Sequence, residues 1–142
     1  MWVIVHMLTG VALGSAVGGP WWFLFPLALV AHVVIDLIPH WDYTRTPYRV
    51  FLGVLDVAVS AVAGLLCYLV IGLPGLAIFA GILSAVPDLD VLSAILPYEQ
   101  KVRWFPSHWL KFPHGKASPA PGIIVQCVMI LISLITIFLT KA

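Results

Sequence analysis

The chain has 142 residues, 62% of them hydrophobic and only 9% charged, where an ordinary soluble domain carries about 25% charged residues. So few polar groups cannot cover a water-facing surface, which excludes an ordinary soluble globule and predicts lipid as the solvent. The net charge of +1 is uninformative by itself, but the lack of a basic stripe on a soluble face excludes a nucleic-acid footprint.

A spanning helix needs about 20 mostly apolar residues. Five segments qualify or come close: 2–18, closed by Gly18-Gly19-Pro20; 21–38, stopped by Pro39; 50–73, ended by Pro74-Gly75; 76–96, interrupted at Pro87; and 122–140. The expected fold is all-α, a polytopic transmembrane bundle of about five helices forming a single integral membrane domain over 1–142. The first segment lacks the basic start of a secretory signal and reads as a mature helix. On it, Gly10, Gly14 and Gly18 recur every four residues and offer a face for close helix contact. His6, one turn earlier on that face, should point into the bundle. Connections 18–21 and 72–75 are short, so helices one and two form a hairpin, as do three and four. Cys67 and Cys127 lie in apolar stretches and read as small buried residues rather than a disulfide pair.

The cations are sorted by side. Loops 39–49 and 97–121 hold Arg45, Arg49, Lys101, Arg103, Lys111 and Lys116, while the opposite face holds only Lys141. Lys and Arg concentrate on the cytoplasmic side of membrane proteins. The expected location is the inner membrane, with the N-terminus and both long loops cytoplasmic and the C-terminus outside. Trp21 and Trp22 then anchor the outer interface. The acids and histidines fall in those loops or in the cytoplasmic halves of the helices.

A charge in the membrane costs about 2.5–3.5 kcal/mol on insertion scales, so several at one level imply a shared partner. The densest run is His32-Val-Val-Ile-Asp36-Leu-Ile-Pro39-His40-Trp-Asp42, in which His32, Asp36 and His40 recur at helical spacing. The second is Pro87-Asp88-Leu-Asp90, where proline breaks the ladder just before two acids. Imidazole and carboxylate are ligands of Zn²⁺, with Mn²⁺ or Mg²⁺ as alternatives. Ile38-Pro39-His40-Trp41-Asp42 also parallels Val86-Pro87-Asp88-Leu89-Asp90, which suggests a parallel repeat of two helical hairpins facing one metal site. Loop 97–121 interleaves aromatics and cations and reads as an amphipathic segment in the headgroup layer. Its Lys101, Arg103, Lys111 and Lys116 suit an anionic substrate. This loop could deliver His114 or His108 to the site; His114 is taken as the further ligand, and His108 reads rather as an interfacial residue.

An early His on a glycine-bearing helix, then H-x3-D-x2-P-H-W-D, P-D-L-D and a late His resembles the bacterial membrane-bound metal-dependent hydrolases of the YdjM-like family. The resemblance covers nearly the whole chain. It implies that His6, His32, Asp36, Asp88, Asp90 and His114 stand where that family keeps polar residues. The family's H-R-x2-T-H-S segment is replaced here by Phe112-Pro-His114-Gly-Lys116.

The residues thus point to a metal-dependent hydrolase with ligands among His6, His32, Asp36, His40, Asp88, Asp90 and His114. Asp42 or Asp56 would be its general base. A lipid phosphate ester or diphosphate would enter from the cytoplasmic leaflet. Membrane lipids are the expected partners, and self-association is left open. Two other readings remain: a small metal-ion or proton transporter or channel subunit, and a scaffold with a structural metal. The plainest reading of Asp36, Asp42 and Asp90 is pairing with Arg45 or Arg49 at helix ends.

Overall fold

The computed structural model describes residues 1–93, 104–109, 113 and 115–141. Those residues are helical, without strands: α1 (Val3–Val17), α2 (Trp21–Asp36), α3 (Arg49–Leu69), α4 (Gly75–Ala85), a short α5 (Leu89–Ser93) and α6 (Pro119–Lys141). Single 3-10 turns at Tyr43–Arg45, Val86–Asp88 and Pro106–His108 complete the described chain.

α1 is the axis of the fold. It packs against α2, α3, α4 and α6, most extensively against α4. Nine of its fifteen residues are buried, as expected of a helix that is apolar all round. Glycine makes the α1–α4 contact close. A Cβ at Gly10 would stand 2.6 Å from the Ala80 carbonyl oxygen and 2.8 Å from Gly81 Cα. One at Gly14 would stand 2.9 Å from Ala77 Cα. Gly18 does not share this work. It caps α1 at a φ of 62° with nothing within 4 Å of a Cβ, so its glycine serves the turn.

The N-terminal amides of α1, which a helix leaves without internal partners, are met by neighbours. Trp2 N donates to Gln126 Oε1 at 2.8 Å, and Val3 N and Ile4 N donate to the Asp56 carboxylate at 2.8 and 3.0 Å. Farther down, hydroxyl pairs Thr9–Ser133 and Ser15–Thr140 tie α1 to α6. Such interhelical bonds hold apolar helices together where burial alone does not choose a partner.

Two helices, α3 and α6, are long and apolar enough to cross a membrane. α1 and α2 are apolar but shorter, and Pro87 divides the expected fourth helix into α4, a turn and α5. The remainder of that segment, 94–96, lies outside the described residues. α2 stops at Asp36, about one helical turn before His40 could join its face.

The expected hairpin repeat is not reproduced. A twofold relation would match the α1–α4 contact with an equal α2–α3 contact, and α2 and α3 barely meet. The two proline motifs also differ: Val86–Asp88 is a 3-10 turn, whereas His40 is extended and bridged to Lys116. Cys67 is buried as expected, but Cys127 is exposed on α6.

Candidate metal centre

One end of the bundle collects the start of α1, the end of α2, the Pro87 turn and the Pro106–His108 turn. Each brings a titratable side chain to a common point. His32 and Asp36, four residues apart on α2, meet directly, with His32 Nε2 3.1 Å from Asp36 Oδ2. His6 reaches in from α1 and stacks on His32 with ring centroids 3.9 Å apart. Pro87, which cannot continue the α4 ladder, tightens the chain into the turn that turns Asp88 inward. All four of these side chains are buried.

The fifth member of the cluster is His108. Its Nε2 lies 3.4 Å from His32 Nε2, 3.5 Å from Asp36 Oδ2 and 3.6 Å from Asp88 Oδ1. With the 3.1 Å contact, His32 Nε2, Asp36 Oδ2 and His108 Nε2 form a nearly equilateral triangle of donor atoms. Ligands held tetrahedrally at about 2.0–2.2 Å from Zn²⁺ stand roughly 3.3–3.6 Å apart, so the triangle matches one face of such a site. His6 Nε2 adds contacts on the far side, 3.3 Å to Asp36 Oδ1 and 3.7 Å to Asp88 Oδ2. Asp36 and Asp88 therefore each offer one oxygen toward His108 and the other toward His6.

Apart from Trp2 Nε1, the unsatisfied buried polar side-chain atoms of the described residues lie here too. Both ring nitrogens of His6, together with Asp88 Oδ2 and Ser84 Oγ, are buried without a well-formed hydrogen bond. An unsatisfied buried polar group costs about 1–3 kcal/mol, and here four atoms around one point share that condition. The donor set fits a divalent ion.

The outer nitrogens are held as those of metal-binding histidines usually are, each against a carbonyl or carboxylate. His32 Nδ1 lies 2.7 Å from the Ser84 carbonyl oxygen. His108 Nδ1 pairs with Asp90 Oδ1. Asp90 Oδ2 accepts the backbone amides of Trp104 and Phe105, each at 3.0 Å, which seats the Pro106–His108 turn on α5. Ser107 Oγ donates to Asp36 Oδ2 at 2.8 Å. Burial lowers the His108 imidazole, but Asp36, Asp90 and Asp88 outweigh it and raise the group to about 9.

The expected site residues therefore divide. His6, His32, Asp36 and Asp88 converge. Asp90 stands behind His108 as its orienting carboxylate instead of facing the cluster centre. His40 is buried but lies off the His32–Asp36 stripe, because α2 ends before it; its Nδ1 bonds the Ile38 carbonyl at 2.8 Å. Among the described residues no group of convergent metal donors includes it.

Asp56 is a structural cap in place of a base. Besides the two α1 amides it accepts the Tyr43 hydroxyl at 3.0 Å. Asp42 Oδ1 caps the Tyr43–Arg45 turn through Thr44 N at 2.8 Å. Asp42 also lines a cavity of about 30 Å³ with Asp88 and His108, enough for one or two waters. Lys116 is exposed and bridges to His40 through its backbone. His114, Lys101, Arg103 and Lys111 lie outside the described residues.

His108 is the residue that sequence reasoning left out of the ligand set, reading it as interfacial. Its signal was indirect: His108 follows two residues after Pro106, in the same loop as His114. No family model matches this chain, and no curated protein or solved structure matches it either.

Proposed function

We propose that this protein is a polytopic membrane hydrolase that uses a divalent metal, akin to the YdjM-like proteins it resembles. Its substrate would be a lipid phosphate ester or diphosphate at the cytoplasmic interface. The observation that carries this reading is the His32–Asp36–His108 triangle, backed by the unsatisfied nitrogens of His6. Its membrane setting is supported by the largely outward-facing apolar surfaces of α3 and α6. All five longer helices would cross or dip into the bilayer, with the cluster on the cytoplasmic side.

In this reading His32, Asp36, Asp88 and His108 hold the ion, and His6 completes the set. A divalent ion held there would supply Lewis-acid chemistry toward a phosphoryl oxygen and a nearby water. The protein's own residues do the rest. Ser84 O and Asp90 fix the two imidazoles so that Nε2 faces inward. Ser107 holds Asp36 in register. Asp42, with Oδ2 uncommitted among the described residues, accepts a proton from water in the small cavity. Lys116, with Lys101, Arg103 and Lys111, attracts the anionic headgroup.

The test is phosphate release from a panel of lipid phosphates and diphosphates by detergent-purified protein. Release should stop with a chelator and return with Zn²⁺ or Mn²⁺. Asp42→Asn should lower kcat at least 100-fold while retaining metal. Inertness of the metal-loaded protein toward the whole panel would overturn the enzymatic reading. The alternative of ion passage draws on the hydroxyl pairs along the α1–α6 seam. Metal or proton flux into liposomes that stops in Thr9→Val would favour it instead.

A further inference from the structure

A second feature lies directly beside the cluster. α3 and α4 splay apart above α1 and leave an apolar groove of about 470 Å³, within the usual range of ligand sites. Met7 forms part of its floor, Ala61 and Leu65 one wall, and Ile82 the other. Gly64 keeps the α3 wall low, because a Cβ there would press on the terminal methyl of Met7. The groove follows α3 from Val57 to Tyr68, a length of about 16 Å at the helical rise. That matches an extended chain of roughly a dozen carbons.

Its upper end is not isolated. Val3 lines both this groove and the small polar cavity that holds Asp42, Asp88 and His108. Val86 and Leu89, also in the groove lining, bracket Pro87 and Asp88 in sequence. An amphiphile with its head at the cluster thus has an apolar path leading away from it, where Ser60 is the only hydroxyl before Tyr68 among the described lining residues. The Ser60 hydroxyl is spent on the Asp56 carbonyl at 2.6 Å.

We infer that the groove between α1, α3 and α4 seats one hydrocarbon chain of a phosphorylated lipid whose headgroup lies at the Asp88–His108 cluster. The inference rests on the proposed metal-dependent function and narrows its substrate to a lipid bound by head and chain together. A soluble phosphate ester would leave the groove unused.

The experiment uses the zinc-loaded protein in phosphatidylcholine nanodiscs. The probe is a non-hydrolysable phosphonate analogue of phosphatidic acid with a photoactivatable group midway along one acyl chain. The matched diacylglycerol probe lacks only the headgroup. Expected are crosslinks at Ala61, Leu65 or Ile82 that exceed those of the diacylglycerol probe at least fivefold. They should disappear in Ala61→Trp, which fills the groove, and persist in Val62→Trp, which faces outward beside it.

Equal labelling by the two probes would mean ordinary surrounding lipid and would overturn the inference. Zinc content is measured on the same samples. Failure to label with zinc bound rejects the groove alone, whereas absence of zinc rejects the metal reading beneath it.

Discussion

His32 and His108 each turn one ring nitrogen to the cluster and the other to a fixed acceptor, Ser84 O and Asp90 respectively. That division makes separable demands on single residues. Loss of an inward-facing group should remove metal. Loss of Asp90 should leave the ligand count intact but loosen His108 and its turn, weakening metal affinity about 10–100-fold in Asp90→Asn. Titration with a competing chelator measures it. Asp56 behaves differently, since it caps α1 and binds Tyr43. Asp56→Ala should destabilise the protein by about 1–3 kcal/mol, read from thermal unfolding in detergent, and leave the metal in place.

In protein stripped of metal, His108 is raised above its unfolded value. The stabilisation from its charged form is complete below about pH 6.5 and is lost as pH rises through about 9. The melting temperature should fall over that interval in the metal-free wild type and stay flatter in His108→Gln.

At the scale of elements, the sequence was most informative where a residue type permits few alternatives. The glycine spacing on α1 predicted a close contact, and Gly10 and Gly14 make it with α4. Gly18 shared the spacing but serves a turn, because periodicity cannot show where a helix ends. Pro87 predicted the interruption before Asp88 correctly. The helical spacing of His40 misled: Pro39 marked a stop before it, and the chain in fact left the helix at Asp36 and carried His40 away from its apparent stripe.

The packing claim makes its own prediction. Gly10→Val should cost several kcal/mol, because the added atoms meet the α4 backbone, which cannot yield as a flexible side chain can. Gly18→Ala should cost only about 1 kcal/mol through its positive φ. Chemical or thermal unfolding of the two variants separates the effects.

At the scale of the molecule, composition and the sorting of charge identified an all-helical apolar protein with a polar end. They did not identify which loop residue closes that end. His108 arrives from a turn some 70 residues from Asp36, seated by backbone amides on Asp90, and no local spacing encodes such a contact. The proposed cytoplasmic placement of the polar end draws on the six-to-one distribution of Lys and Arg. In a cysteine-free background, Lys141→Cys should react with a membrane-impermeant maleimide in intact cells. Ser118→Cys should react only after the membrane is opened.

The most direct test of the account is the metal content of the purified protein, measured by elemental analysis after exhaustive washing. The wild type should carry at least one divalent ion per chain. His32→Ala combined with His108→Ala should carry none, while Asp42→Asn and Asp56→Ala keep theirs. A wild type free of metal, or a double variant that retains it, would contradict the assignment of this cluster as a metal centre.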